Sequence, residues 1–110
     1  MDIAEIFKSS IKTRKARKSL SKLLTAVDII YGEFEILFLL LSEQPLRPSI
    51  IGTHLHCEPA AVSRIIKSLS QKDLIEYQHD DEDRRQIHVR LTKQGHTVIK
   101  SVVTQSCSPY

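Results

Sequence analysis

The chain has 110 residues, so we expect one domain with a single hydrophobic core. It contains 3 Gly, 4 Pro and no Trp, a composition that favours a mainly helical globular protein over a disordered or all-β one. Its 16 basic and 13 acidic side chains give a net charge of +3, which is compatible with a polyanionic partner but does not demand one.

Targeting signals are not expected in this sequence. The N-terminal segment carries Asp2 and Glu5 and has no apolar run of signal-peptide length. The longest apolar run, residues 36–41, is too short to cross a bilayer. These features favour a cytoplasmic protein, in which Cys57 and Cys107 are more often reduced than paired.

The N-terminal segment, residues 1–31, is predicted to be helical because it lacks Pro and Gly and carries two apolar stripes at helical spacing. The basic segment 12–18 lies between the stripes and indicates either a solvated helix face or a contact with phosphates. No hairpin partner within the chain is evident for the stripes, so we expect them to bury against a second copy. The residues proposed for this dimer contact are Ile3, Phe7, Leu20, Leu23, Leu24 and Val27.

Two further helices are predicted before residue 56. Residues 33–43 are too apolar for a surface helix and should form the central core helix. Pro48 opens a shorter helix that contains Gly52. Because a glycine inside a helix costs about 1 kcal/mol relative to alanine, we expect Gly52 to permit close packing against the next helix, as in a helix-turn-helix.

The next helix should begin at Pro59, since proline suits the first helical position, with Glu58 as a weak N-cap. His56 precedes it in a turn, where histidine tolerates a positive φ better than most residues. Cys57 is expected to pack beside the helix rather than to react. One face of this helix should be apolar through Val62, Ile65, Ile66 and Leu69. The residues predicted to face outward are Ala60, Ala61, Ser63, Arg64, Lys67 and Ser68.

A charged β-hairpin is predicted to follow, because the hydrophobic period changes from that of a helix to strict alternation. The alternating residues are Ile75, Tyr77 and His79 in one strand and Ile87, Val89 and Leu91 in the other. The run 80–85 would form the tip. Thr92 is a good N-cap for a final helix over residues 93–107.

Three segments in this order resemble the winged helix-turn-helix of the MarR (multiple antibiotic resistance regulator) family. They are EPAAVSRIIKSLSQKDLI at 58–75, DDEDRR at 80–85 and IHVRLTKQG at 87–95. The resemblance covers residues 34–95. It implies a mainly α fold with a small β-hairpin, in which residues 33–92 form the DNA-binding core and wing. Such a protein would act as a homodimer, and its dimer contact would depend on the N-terminal helix, because only about four helical turns follow Thr92.

The resemblance and the residue chemistry imply the same candidate DNA contacts. The recognition helix would lie in the major groove, where short polar, small apolar and basic side chains read base edges; here these are Ala60, Ala61, Ser63 and Arg64. Lys67 and Arg84 would bind phosphates. In the D-x-R motif of the wing, Arg85 would enter the minor groove and Asp83 would fix its orientation.

Other functions fit the sequence less well. There is no Gly-rich phosphate loop or nucleophile motif, so we do not expect an enzyme or a cofactor. The sequence H-x-H-C at 54–57 is the best metal candidate, but its side chains would point in different directions. The alternative is a winged helix that binds another protein rather than DNA, which the basic residues disfavour. The sequence leaves the operator, the direction of regulation and any small-molecule effector open.

Overall fold

The computed structural model describes residues 14–83 and 85–106 of the chain. The elements within these ranges are α1 Arg14–Ala26, α2 Tyr31–Ser42, α3 Pro48–Leu55, α4 Pro59–Gln71, β1 Ile75–His79, β2 Ile87–Leu91 and α5 Lys93–Ser106. This order confirms the predicted mainly α fold with a small β-hairpin. No helix within the described ranges has the length and apolar character needed to cross a membrane.

Helix α1 ends at Ala26, so the prediction that this helix continues to residue 31 was wrong. Asp28 takes the left-handed conformation with φ 58°, which a helix cannot continue through. The amides of Asp28 and Ile29 donate to the carbonyls of Thr25 and Leu24. These are the two bonds of a Schellman C-terminal cap. The next helix then begins at Tyr31 rather than at residue 33.

The apolar stripe of α1 has a partner within the chain, contrary to expectation. Leu20 and Leu24 are only 4% and 5% exposed in the isolated subunit. They belong to the main core because α1 packs on α5 and α2. Leu23 and Val27 are half-buried against the same core, whereas Ile3 and Phe7 lie outside the described residues. Burial of Leu20 and Leu24 therefore does not require a second subunit.

Helix α2 is the central core helix, as predicted. Its buried side chains point in all directions around the axis, which is typical of a helix surrounded by other elements. Helices α1, α3, α4 and α5 and strand β2 all pack against it. The apolar residues of α2 that are at most 6% exposed are Phe34, Ile36, Leu37, Phe38, Leu39 and Leu40.

The helix-turn-helix between α3 and α4 forms as the sequence predicts. A Cβ atom at Gly52 would lie 3.1 Å from the Cys57 carbonyl oxygen and 3.4 Å from Val62 Cγ2, so glycine permits the close crossing. His56 ends α3 in the left-handed conformation with φ 55°. Helix α4 starts with Pro59 after Glu58, whose side chain makes no capping hydrogen bond.

The start of α5 is locked onto the segment that joins α4 to β1. Thr92 Oγ1 accepts the Gly95 amide at 2.9 Å, which confirms the predicted N-cap. The same hydroxyl donates to the Asp73 carbonyl at 2.7 Å. A Cβ atom at Gly95 would lie 1.9 Å from the Leu74 carbonyl oxygen, a distance that no side chain can adopt. The segment 91–95 therefore caps α5 through Thr92 and admits the Leu74 backbone through Gly95.

Candidate nucleic-acid interface

Helix α4 separates a buried face from an exposed one. Val62, Ile66 and Leu69 are at most 3% exposed and anchor the helix in the core, while Ile65 packs partly against it. Four of the five predicted contact residues on this helix, Ala60, Ser63, Arg64 and Lys67, are exposed, and Ala61 is half-buried. Ser68 was predicted to face outward, which is wrong: it is half-buried and its hydroxyl donates to Glu33.

The polar side chains on the exposed face of α4 are available for an external partner. Within the described part of the chain, no hydrogen bond or ion pair engages the side chains of Ser63, Arg64 or Lys67. Neither cation is neutralised by a described acid. This face can therefore donate hydrogen bonds and attract an anion without first giving up an internal contact.

The two predicted strands form an antiparallel hairpin in which their alternating residues lie opposite one another. Ile75 pairs with Leu91, Tyr77 with Val89, and His79 with Ile87. In β1 the first residue, Ile75, is buried and the four residues that follow, up to His79, are exposed. The hairpin is therefore rooted in the core and projects into solvent towards its tip.

The segment between α2 and α3 anchors the base of this wing, a feature that the sequence did not reveal. Leu46 and Val89 exchange both backbone hydrogen bonds, at 3.0 and 2.7 Å, so Leu46 adds a one-residue third strand to the sheet. Gln44 Oε1 accepts the Leu91 amide at 2.9 Å. These contacts hold β2 against the helical core at two successive points.

An ion pair extends this anchor to the end of β1. Arg47 Nη2 lies 3.7 Å from Asp80 Oδ2. Asp80 Oδ1 also accepts the Glu82 amide at 2.9 Å, which closes the first part of the tip. The hydrogen bond from the Glu82 amide, together with the charges of His88 and Arg47, lowers the pKa of Asp80. The acid at the start of the tip therefore stays charged and holds the turn together.

At the tip, Arg85 and Asp83 are in contact. The Arg85 amide and Nε donate to Asp83 Oδ1 at 3.1 and 3.4 Å. The Arg85 side chain is nevertheless 92% exposed, so the contact orients it without burying it. Arg84 lies outside the described residues. Of the two wing arginines predicted to contact DNA, Arg85 has an exposed guanidinium that Asp83 orients.

A buried charge cluster behind α4 was missed by the sequence analysis. Glu33 is 1% exposed, and its carboxylate accepts from Lys72 Nζ at 2.8 Å, Ser68 Oγ at 2.8 Å and the Ile30 amide at 2.9 Å. Lys72 Nζ also donates to the Asp28 carbonyl at 2.6 Å. Burial alone raises the pKa of Glu33, but the bonds from Lys72, Ile30 and Ser68 outweigh it and the pKa is lowered. Glu33 is therefore a buried, charged and fully bonded carboxylate.

Helical spacing offers a signal that could have revealed this cluster. Glu33 precedes Leu37 and Leu40 by four and seven positions, so it shares their buried face. Lys72, the C-cap of α4, follows Leu69 and Ile65 by three and seven positions, so it continues their face of the helix. An acid thus lies on the apolar face of one helix and a base on that of another, a pattern that indicates a buried ion pair.

The remaining polar candidates are not assembled into a site. His54 Nε2 lies 3.6 Å from Glu43 Oε2, and His56 occupies the left-handed end of α3. Cys57 is half-buried against the core. Among the described residues, no three His, Cys, Asp or Glu side chains are grouped in a way that could hold a metal ion.

Comparison with known families identifies the same winged helix-turn-helix that the helix and wing form in the structure. The model of the MarR family matches residues 30–87, which include the helix-turn-helix, β1 and the wing tip. The chain belongs to the MarR family. Its membership accounts for the order of the described elements and for the winged helix-turn-helix that they form.

Several MarR-type proteins resemble the chain over most of its length. It is 27% identical over 78 residues to the HTH-type transcriptional regulator MgrA of Staphylococcus aureus, which covers 71% of the chain and 53% of MgrA. The structure of a Staphylococcus aureus MepR variant bound to an oligodeoxyribonucleotide matches 96% of the chain with a TM-score of 0.81 and 20% identity, over 76% of that protein. Reduced AbfR bound to DNA matches 96% of the chain with a TM-score of 0.75 and 26% identity, over 78% of AbfR. The chain spans about half the length of MgrA.

Proposed function

We propose that the chain is a transcriptional regulator that binds double-stranded DNA sequence-specifically as a homodimer. The observation that carries this proposal is the exposed, unneutralised face of α4, which lies in the same small domain as the oriented guanidinium of Arg85. MgrA is a transcriptional regulator, and the matched structures of MepR and AbfR contain DNA, which supports the same partner for this chain.

The two exposed elements would have different tasks on the duplex. Helix α4 would enter the major groove, where Ala60, Ala61, Ser63 and Arg64 would face base edges. Lys67 and Arg84 would bind phosphates and fix the register of the protein on DNA. Arg85, held by Asp83, would reach the adjacent minor groove.

The homodimer would use the N-terminal helix. Leu20 and Leu24 are buried within the subunit, so we assign them to holding α1 in place. Leu23 and Val27 are half-buried and would contact the second copy together with Ile3 and Phe7. Analytical ultracentrifugation tests this assignment: Leu23→Lys should shift the protein towards the monomer. A monomeric wild-type protein would rule out the dimer.

Selection of bound sequences from random DNA duplexes tests the function directly. A regulator of the proposed kind should enrich a palindrome whose half-site centres lie about one helical turn, 10–10.5 base pairs, apart. Binding that depends on salt but enriches no sequence would contradict sequence-specific regulation and favour a packaging role. The absence of any DNA binding would favour a winged helix that recognises another protein.

A further inference from the structure

Three helix ends meet at the ion pair of Glu33 and Lys72, and this junction carries an inference that rests on the proposed DNA-binding function. We propose that Glu33 and Lys72 are positioning residues that set the orientation of α4 relative to α1. In a dimer formed through α1, this orientation determines the separation of the two recognition helices and therefore the half-site spacing that the protein accepts.

Lys72 joins the ends of three helices. It is the residue at the C-terminal end of α4. Its ammonium group donates to the carbonyl of Asp28, which belongs to the cap of α1, and to the carboxylate of Glu33 in the first turn of α2. An ammonium has three protons, so it can bind both oxygens at once. A neutral side chain at this position cannot replace these two charge-assisted bonds.

Glu33, in the first turn of α2, bonds the end of α4 and the segment that joins α1 to α2. One carboxylate oxygen, Oε2, accepts the hydroxyl of Ser68 in the penultimate turn of α4. The other, Oε1, accepts both Lys72 and the amide of Ile30, the residue that precedes α2. An ionised carboxylate only accepts hydrogen bonds, which suits three donors. Glutamine would present an NH2 group to one of them, so Glu33→Gln removes a bond as well as the charge.

The junction acts at the point where a change of angle has the largest effect on DNA reading. Ser68 and Lys72 fix the last part of α4, while Arg64 lies one to two turns earlier on the same helix. A Cβ atom at Gly32 would lie 3.0 Å from Ile65 Cδ1, closer than ordinary van der Waals contact, so the start of α2 also packs tightly on α4. The polar bonds and this contact together define one docking angle.

A buried ion pair could instead contribute stability alone. Spin labels distinguish the two roles by measuring the distance between α1 and α4 in the folded protein. Labels at Lys22→Cys and Lys67→Cys, both exposed positions, would be placed in a background with Cys57→Ser and Cys107→Ser. Dilution with unlabelled protein makes dimers with two labelled subunits rare, so pulsed electron paramagnetic resonance then measures distances within one subunit.

The distance distribution should broaden or shift in Glu33→Gln and in Lys72→Met, and Lys72→Arg should retain the wild-type distribution. Glu43→Gln is the matched control, because it removes the same charge from the exposed C-terminal end of α2. An unchanged distribution in folded Glu33→Gln and Lys72→Met would overturn the proposal. If Glu33→Gln does not fold, Lys72→Met decides, since Lys72 is 30% exposed and lies at a helix end.

The second measurement is selection from DNA libraries in which two fixed half-sites are separated by varied spacers. Wild type and Glu43→Gln should prefer one spacing, and Lys72→Met should lose that preference while enriching the same half-site sequence. A variant that keeps the wild-type spacing preference would contradict the inference. Failure of the wild-type protein to bind any duplex would instead refute the proposed function, and the spin-label distances would still test the junction.

Discussion

The recognition helix and the wing are fixed to the protein in different ways. Helix α4 buries one face in the core and has its C-terminal end bonded to Glu33. The wing is held at its base by Leu46 and Gln44 and at the end of β1 by the Arg47–Asp80 ion pair, whereas Arg85 at its tip touches Asp83 but is 92% exposed. A fixed helix suits the reading of base edges, where small displacements destroy hydrogen bonds. An extended tip suits a groove whose width varies with sequence.

The largest expected effect is on the stability of the segment that joins α4 to the hairpin. Gly95→Ala should lower the free energy of unfolding by about 3 kcal/mol, because a Cβ atom would overlap the Leu74 carbonyl oxygen that lies between α4 and β1. Urea denaturation followed by circular dichroism measures this change. Gln94→Ala, at an exposed neighbouring position, is the control and should unfold like the wild type. Equal urea midpoints for the two variants would mean that the close contact between Gly95 and Leu74 can relax to admit a side chain.

On the helix, Arg64→Ala should weaken operator binding by roughly 2 kcal/mol and relax sequence preference at one position in each half-site. Lys67→Ala, one turn away on the same exposed face, should weaken binding to all sequences alike and reduce the salt slope by about 1. Fluorescence anisotropy titrations with operator variants separate these outcomes. A uniform loss for Arg64→Ala would assign Arg64 to a phosphate.

On the wing, Arg85→Ala should cost about 1.5 kcal/mol of operator affinity while leaving dimerisation intact. Asp83→Ala should cost less, because it removes only the group that orients Arg85. The loss should be greater for operators with a narrow minor groove beside the half-site, where the negative potential is stronger. Binding by Arg85→Ala at wild-type affinity would remove the wing from the mechanism.

The smallest expected effect is the loss of protein stability at acidic pH. Because the pKa of Glu33 is lowered below its ordinary value of 4.5, its ion pair contributes stability that is complete above pH 4.5 and is lost as the pH falls through the lowered pKa. The wild type should therefore lose stability in acid more steeply than Lys72→Met, in which Glu33 has lost its main partner. Thermal unfolding across this pH range tests the sign, and parallel curves for the two proteins would contradict it.

Local patterns predicted a large part of the fold and of the site. The apolar face of α4 and the alternation in the two strands are periodic over neighbouring residues, so the helix face and the presence of the two strands follow from sequence alone. Thr92 and Pro59 act within a few residues of their own position, and both were assigned correctly. The D-x-R motif likewise places Asp83 beside Arg85 by simple proximity.

The features that sequence did not predict depend on contacts between distant parts of the chain. Glu33 meets Ser68 and Lys72 across 35 and 39 residues, and Leu46 meets Val89 across a similar interval. Leu20 and Leu24 could not be recognised as core residues without knowing that α5 returns to cover α1. Asp28 ends α1 by adopting a positive φ, which Asp tolerates but which its presence in a sequence does not predict.

The separation of α4 into an exposed face and a buried face affects how the DNA specificity of such a protein can change. The side chains that would select the operator, Ser63 and Arg64 among them, lie on the face that makes no hydrogen bond or ion pair to other described residues, whereas Val62, Ile66 and Leu69 hold the helix in place. Substitutions on the outer face should therefore carry little folding cost. A duplicated copy could acquire a new operator while keeping its architecture, and the same few positions offer a compact set for redirecting the protein to a chosen DNA sequence.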